Sequence, residues 1–140
     1  MYSILAARTD FSLGESILNP KMLVEAAAAA GEKTAAITDT MCLTGMISFT
    51  DAAKKAGIKP IIGVRLRMTD NPTWRPEKGE KKKHMPREYF LTAYARTQEG
   101  MRALFRLVSL GNSEERFYYV SKLGFQDLTN ELREISDDAL

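Results

Sequence analysis

The chain has 140 residues, and its 20 basic and 18 acidic side chains leave a formal net charge of +2, so bulk charge does not mark it for nucleic acid or an anionic surface. With 44% hydrophobic and 27% charged residues it has the composition of one globular domain that can bury a core without disulfides. A single cysteine, Cys42, excludes an internal disulfide, and a single histidine, His84, excludes a His-rich multinuclear metal site unless carboxylates supply the ligands.

Tyr2–Ala7 is short and apolar and predicts a first buried strand, closed by Arg8, Thr9 and Asp10. Asn19-Pro20 pairs an N-cap residue with proline at the first helical position, and Lys21–Ala30 follows with strong helix formers up to Gly31. Thr34–Thr38 predicts a second strand ending at Asp39. Gly45–Ala56 places Met46, Ile47, Phe49 and Ala53 at helical spacing before Gly57. Lys59–Met68 predicts a third strand, apolar at first and then alternating. Short connections and glycine-closed helices in this order predict βαβ units and a parallel sheet.

Residues 69–87 interrupt the pattern with Pro72, Pro76 and Pro86 and a lysine-rich run, and predict an exposed, mobile basic loop. Lys78, Lys81, Lys82 and Lys83 in that loop are candidates for phosphate contact, although Glu77 and Glu80 dilute the charge. His84 is expected to be solvated. Glu88–Arg96 predicts a fourth strand. Thr97 is an N-cap candidate for a helix at Met101–Leu110, with Leu104, Phe105 and Val108 inward and Arg102 and Arg106 outward. Phe117–Val120 is a short extended candidate, and Phe125–Ile135 a last helix. No apolar run reaches the roughly 20 residues needed to span a bilayer. With no basic leader ahead of an apolar stretch, the expected location is the cytoplasm.

Three segments together resemble one family. Ala36–Met68, AITDTMCLTGMISFTDAAKKAGIKPIIGVRLRM, is similar to the N-terminal PHP (polymerase and histidinol phosphatase) domain of bacterial DNA polymerase III alpha subunits, with GIKPIIG at Gly57–Gly63 as its most specific stretch. Thr9–Leu13, TDFSL, resembles the motif after that family's first strand, and Tyr89–Leu104, YFLTAYARTQEGMRAL, resembles a later strand and helix. The resemblance implies an α/β fold, part of a distorted (β/α)7 barrel of parallel strands alternating with helices, with the chain its N-terminal portion. The family domain is longer than 140 residues, so the expectation is a truncated barrel whose open edge is completed by further chain, a partner or a second copy.

Active members of that family hold two or three metal ions at the C-terminal ends of their strands. The resemblance maps their ligands onto Ala6, Arg8, Thr40 and Arg65, none of which is a metal donor of the usual kind. Two arginines in a former metal pocket require acidic partners, and Asp10 and Asp39 are the expected ones. Asp39 is expected to cap a turn and to pair with arginine rather than to hold an ion. The implied segment carries no catalytic residue, metal or cofactor of its own. The resemblance further implies association with the rest of the alpha subunit, with a proofreading exonuclease subunit and, through the whole polymerase, with DNA; the parent protein is a DNA-directed DNA polymerase. Two alternatives remain. One is a phosphoesterase using only the carboxylates of Asp10, Glu15 and Asp39 with Mg or Mn. The other is a stand-alone protein that mimics the front of the polymerase.

Overall fold

The computed structural model describes residues 5–76 and 85–140. Helix α1 (Pro20–Ala29) starts as its sequence dictates, with the Asn19 side chain accepting a hydrogen bond from the Met22 N–H at 2.9 Å. It ends where Gly31 takes the left-handed conformation, at φ 72°. Strand β1 (Thr34–Thr40) is buried from Ala35 to Asp39, so it carries no polar face. Helix α2 (Met46–Lys55) buries Phe49 and Ala53 and leads through Gly57 (φ 69°) into β2 (Lys59–Thr69).

The first strands pair in parallel, from Thr34 opposite Lys59 to Thr40 opposite Arg65. Leu23, Val24, Ala35, Ile37, Phe49, Ala53 and Ile58 close one core between this pair and the two helices. Strand β3 (Glu88–Tyr94) flanks the other side of β2, and helix α3 (Gln98–Gly111) begins at Thr97, whose side chain accepts from the Gly100 N–H. A two-residue strand, β4 (Leu123–Gly124), pairs in parallel with Met68 and Thr69 and leads into α4 (Phe125–Arg133). Val64, Leu66 and Met68 alternate along β2 and form a second core with Met41, Leu104, Leu107 and Leu123.

Several expectations change. β3 runs antiparallel to β2, from Gly63 opposite Tyr94 to Thr69 opposite Glu88, so the sheet is not wholly parallel. An antiparallel neighbour needs no helical crossover, and the described parts of the connection contain none. Of the predicted first strand, residues 1–4 lie outside the described residues and Leu5–Ala7 is not in a strand. Ala7 nonetheless accepts through its carbonyl oxygen from the Thr38 N–H (2.7 Å) and hydroxyl (3.0 Å). In α3 the buried stripe is Gly100, Ala103, Leu104, Leu107 and Gly111. Phe105 falls off it and is 45% exposed, as Ile47 falls off the buried stripe of α2.

The flank of the basic loop is also not free. Arg75 donates to the carbonyl oxygens of Glu114, Glu115 and Phe117, because a guanidinium fork can serve several acceptors at once. The candidate contacts Lys78, Lys81, Lys82 and Lys83, and His84, lie outside the described residues. Phe117–Val120 forms no strand, only a bridge between Tyr118 and Val120. Among the described residues no helix is long and apolar enough to cross a membrane.

Candidate functional site

Side chains at successive strand positions alternate between faces, and in a parallel pair opposed residues share a face. The register therefore brings Thr40, the last residue of β1, beside Arg65 on β2. The segment after Ala7 folds back over this strand end and inserts Glu15. One carboxylate oxygen, Glu15 Oε2, then receives three groups: Arg65 Nη1 at 3.0 Å, Arg8 Nε at 3.0 Å and the Thr40 hydroxyl at 3.1 Å. Arg65 and Thr40 donate hydrogen bonds. The Arg8 Nε–H is not aimed at the oxygen and has no hydrogen-bond partner, so that contact is Coulombic. The Arg65 guanidinium also lies 3.6 Å from the centroid of Phe90, which Arg67 approaches at 5.2 Å, so β3 supplies an aromatic platform.

Asp39 is placed differently from the expectation. It is 1% exposed and points away from the Thr40–Arg65 face. Its carboxylate accepts from the Thr9 N–H at 2.6 Å, the Thr9 hydroxyl at 2.7 Å and the Ser12 hydroxyl at 2.7 Å. Ser12 Oγ in turn accepts from the Thr40 N–H at 3.0 Å. Thr9 and Ser12 belong to the TDFSL motif and Asp39 to AITD, so the two motifs are the halves of one latch that holds the Thr9–Glu15 turn against β1. Asp39 thus fastens the Thr9–Glu15 turn, and among the described residues the ion pairs of Arg8 and Arg65 go to Glu15 and not to Asp39. Asp10 is exposed and forms none of the ion pairs among the described residues. Glu15 is the acidic partner of both arginines.

Of the four ligand positions implied by resemblance, Arg8, Thr40 and Arg65 thus converge, while Ala6 is exposed and offers no donor atom. The cluster opens onto a cavity of about 490 Å³ lined in part by Ser12, Glu15, Thr40, Cys42, Arg67 and Asn112. The donor set does not fit a divalent ion. Two guanidinium groups and one carboxylate carry a net positive charge, and Glu15 Oε2 already has three partners. Among the described residues no three His, Cys, Asp or Glu side chains come together as a metal-binding group. For the carboxylate-only alternative, the same geometry places Asp39 in the latch, Glu15 in an ion pair and Asp10 in solvent. The Cys42 thiol approaches the Thr44 hydroxyl at 3.2 Å.

Comparison with known proteins agrees with this architecture. Residues 5–138 match the PHP domain family. The DNA polymerase III subunit alpha of Yersinia pestis is 33% identical over 132 residues, which is 89% of this chain and 11% of that protein. Its counterpart in Borreliella burgdorferi is 31% identical over 124 residues, 89% of this chain and 10% of that protein. The chain therefore spans about a tenth of the length of these relatives. Among solved structures, a protein classed as a metal-dependent phosphoesterase from Bifidobacterium adolescentis has a TM-score of 0.55 and 17% identity, over 78% of this chain and 32% of that one. An amidohydrolase from Chromobacterium violaceum, with bound sulfate and no metal, has the same TM-score with 21% identity and the same coverage. At these identities the structures speak for the fold, and the family match extends across nearly the whole sequence: the chain belongs to the PHP domain family.

Proposed function

We propose that this chain serves as the PHP segment of a replicative DNA polymerase III alpha subunit, and that its former metal pocket is now a structural ion-pair cluster. The observation that carries the reading is Glu15 Oε2 held between Arg8 and Arg65 where a member of this family that hydrolyses phosphoesters needs metal ligands. Without electron-pair donors to hold a cation, the segment cannot activate water by metal coordination. Its role is then to support the rest of the alpha subunit and to offer a docking surface to a separate proofreading exonuclease. Likeness to the polymerase relatives supports this partnership, as do the apolar side chains of Tyr89 and Leu91 left exposed on β3. The location that goes with this reading is the cytoplasm.

Two measurements on the purified chain test the two halves of the proposal. Phosphodiester hydrolysis with added Mn or Mg is expected to stay at the level of a buffer blank. Pull-down of a purified proofreading exonuclease is expected to succeed and to weaken when Tyr89 and Leu91 are replaced by serine. Hydrolysis that requires Glu15 would overturn the first half, and absence of any exonuclease capture at micromolar concentrations would overturn the second.

A further inference from the structure

A second cavity, of about 560 Å³, lies beyond the end of β2 and is lined by Arg67, Trp74, Glu88, Tyr118, Tyr119 and Lys122, among others. That volume is within the roughly 300–1,000 Å³ of small-ligand pockets. Lys122 is 6% exposed, and among the described residues its ammonium has neither a hydrogen bond nor a carboxylate at ion-pair distance. Two aromatic faces, Trp74 and Tyr118, have centroids 6.0 Å and 5.8 Å from Nζ. Burying an ammonium with so little compensation is costly. Loss of hydration, followed by the charge of Arg75, lowers the Lys122 pKa; Glu88 pulls it back and Arg67 adds to the lowering. Glu88 is committed to Arg67, at 2.9 Å. Among the described residues, the cavity wall therefore holds a buried ammonium with no carboxylate at ion-pair distance.

The Tyr118 ring beside that cation is anchored. Arg75 lies 4.9 Å from the Tyr118 centroid and is pinned by three carbonyl oxygens, which anchors the platform from behind. Tyr119 is 84% exposed although it lines the cavity, which places it at the mouth. Its backbone adopts φ 58°, a conformation that a non-glycine residue holds only when its surroundings impose it. An aromatic enclosure of this kind would suit a cationic guest, but Lys122 already supplies the cation. An anion joined to a flat ring would complement both the ammonium and the aromatic faces.

We infer that this cavity binds a nucleotide unit, with its phosphate on Lys122 and its base stacked on the Trp74 and Tyr119 rings. Lysine binds phosphate as a point charge, and base stacking on aromatic side chains tolerates any base. The inference does not depend on the proposed docking role. A free nucleotide and the phosphorylated end of a single strand share this chemistry.

Trp74 is the only tryptophan in the chain, so its fluorescence reports on this cavity alone. Deoxyadenosine monophosphate is expected to quench it saturably, with deoxyadenosine and inorganic phosphate each binding at least tenfold more weakly. Lys122→Gln is expected to weaken the nucleotide at least tenfold with the circular dichroism unchanged. Tyr119→Ala, at an exposed position, provides a second variant that leaves the core untouched and is expected to weaken binding several-fold. Tighter binding of a 5′-phosphorylated oligodeoxyadenylate than of the mononucleotide would identify a strand end as the source; equal or weaker binding would identify the free nucleotide. The inference is overturned by absence of saturable quenching with either, by inorganic phosphate binding as tightly as the nucleotide, or by affinity that survives both substitutions.

Discussion

Replacing Asp39 tests whether the strand-end carboxylate is a latch or a ligand. Three donors converge on it: the Thr9 N–H and hydroxyl and the Ser12 hydroxyl, at 2.6–2.7 Å. In Asp39→Asn the amide oxygen can keep the two donors on Oδ1, and the Thr9 hydroxyl can turn to accept from the new NH2. The cost is then the loss of charge assistance on two bonds, about 1 kcal/mol each, or ~2 kcal/mol in all. Asp39→Ala leaves all three donors without a partner in a sealed site, at about 1–3 kcal/mol each before relaxation, so ~4 kcal/mol is expected. Domain stabilities are about 5–15 kcal/mol, so the alanine variant should be marginal. With a urea dependence of about 2 kcal/mol per molar, the midpoints should fall by ~1 M and ~2 M respectively. A fall below about 0.3 M in both variants would refute the latch. So would a chelator that lowers the midpoint of the unmodified chain and leaves that of Asp39→Ala unchanged, since that pattern belongs to a metal ligand.

Three further outcomes follow from other contacts. Glu15→Gln removes the counter-charge of Arg8 and Arg65; because these side chains are a quarter to a third exposed, the expected loss is only about 1 kcal/mol, and it should shrink in 1 M salt. In Gly100→Ala the new Cβ would lie 1.8 Å from the Ala139 carbonyl oxygen, so the C-terminal segment must move, and faster hydrogen exchange is expected at the Arg96 N–H that donates to that oxygen. Glu99 has its pKa lowered, first by the Ser136 hydroxyl and then by the Ser136 N–H, against opposing desolvation and Asp138. As a depressed carboxylate its stabilising contribution is complete above the ordinary glutamate value and is lost as pH falls through the lowered one. An NMR titration should find Glu99 below the ordinary glutamate range in the unmodified chain and back within it in Ser136→Ala.

The parts of the fold set by local chemistry could be read directly from the sequence. Asn19 and Thr97 cap the helices predicted for them, and Gly31 and Gly57 end theirs, because caps and left-handed turns require particular residue types. The direction of β3 was missed because the preceding βαβ order was extended to it, although an alternating strand is more often antiparallel. The assignment of Asp39 to the arginines neglected a signal that was present. Adjacent strand residues face opposite ways, so Asp39 could not share a face with Thr40 and, through the parallel register, with Arg65. The hydroxyls of Thr9 and Ser12 in TDFSL were its natural partners. Glu15 was visible only as one of several acids, because its position depends on how the Thr9–Ser16 turn folds back over the sheet. Lys122 gave no signal at all: the rings beside it include Trp74, 48 positions away in sequence.

Among the described residues, Arg8 and Arg65 share Glu15 as their one acidic partner where active members of the family would hold cations. The most direct test of this arrangement is to equilibrate the purified chain with excess Zn and Mn, desalt it, and determine bound metal by mass spectrometry beside the triple variant Arg8→His, Thr40→His, Arg65→Glu. The account predicts no stoichiometric ion in the unmodified chain and a gain in the variant. One or more ions per unmodified chain, released by Glu15→Gln, would contradict it.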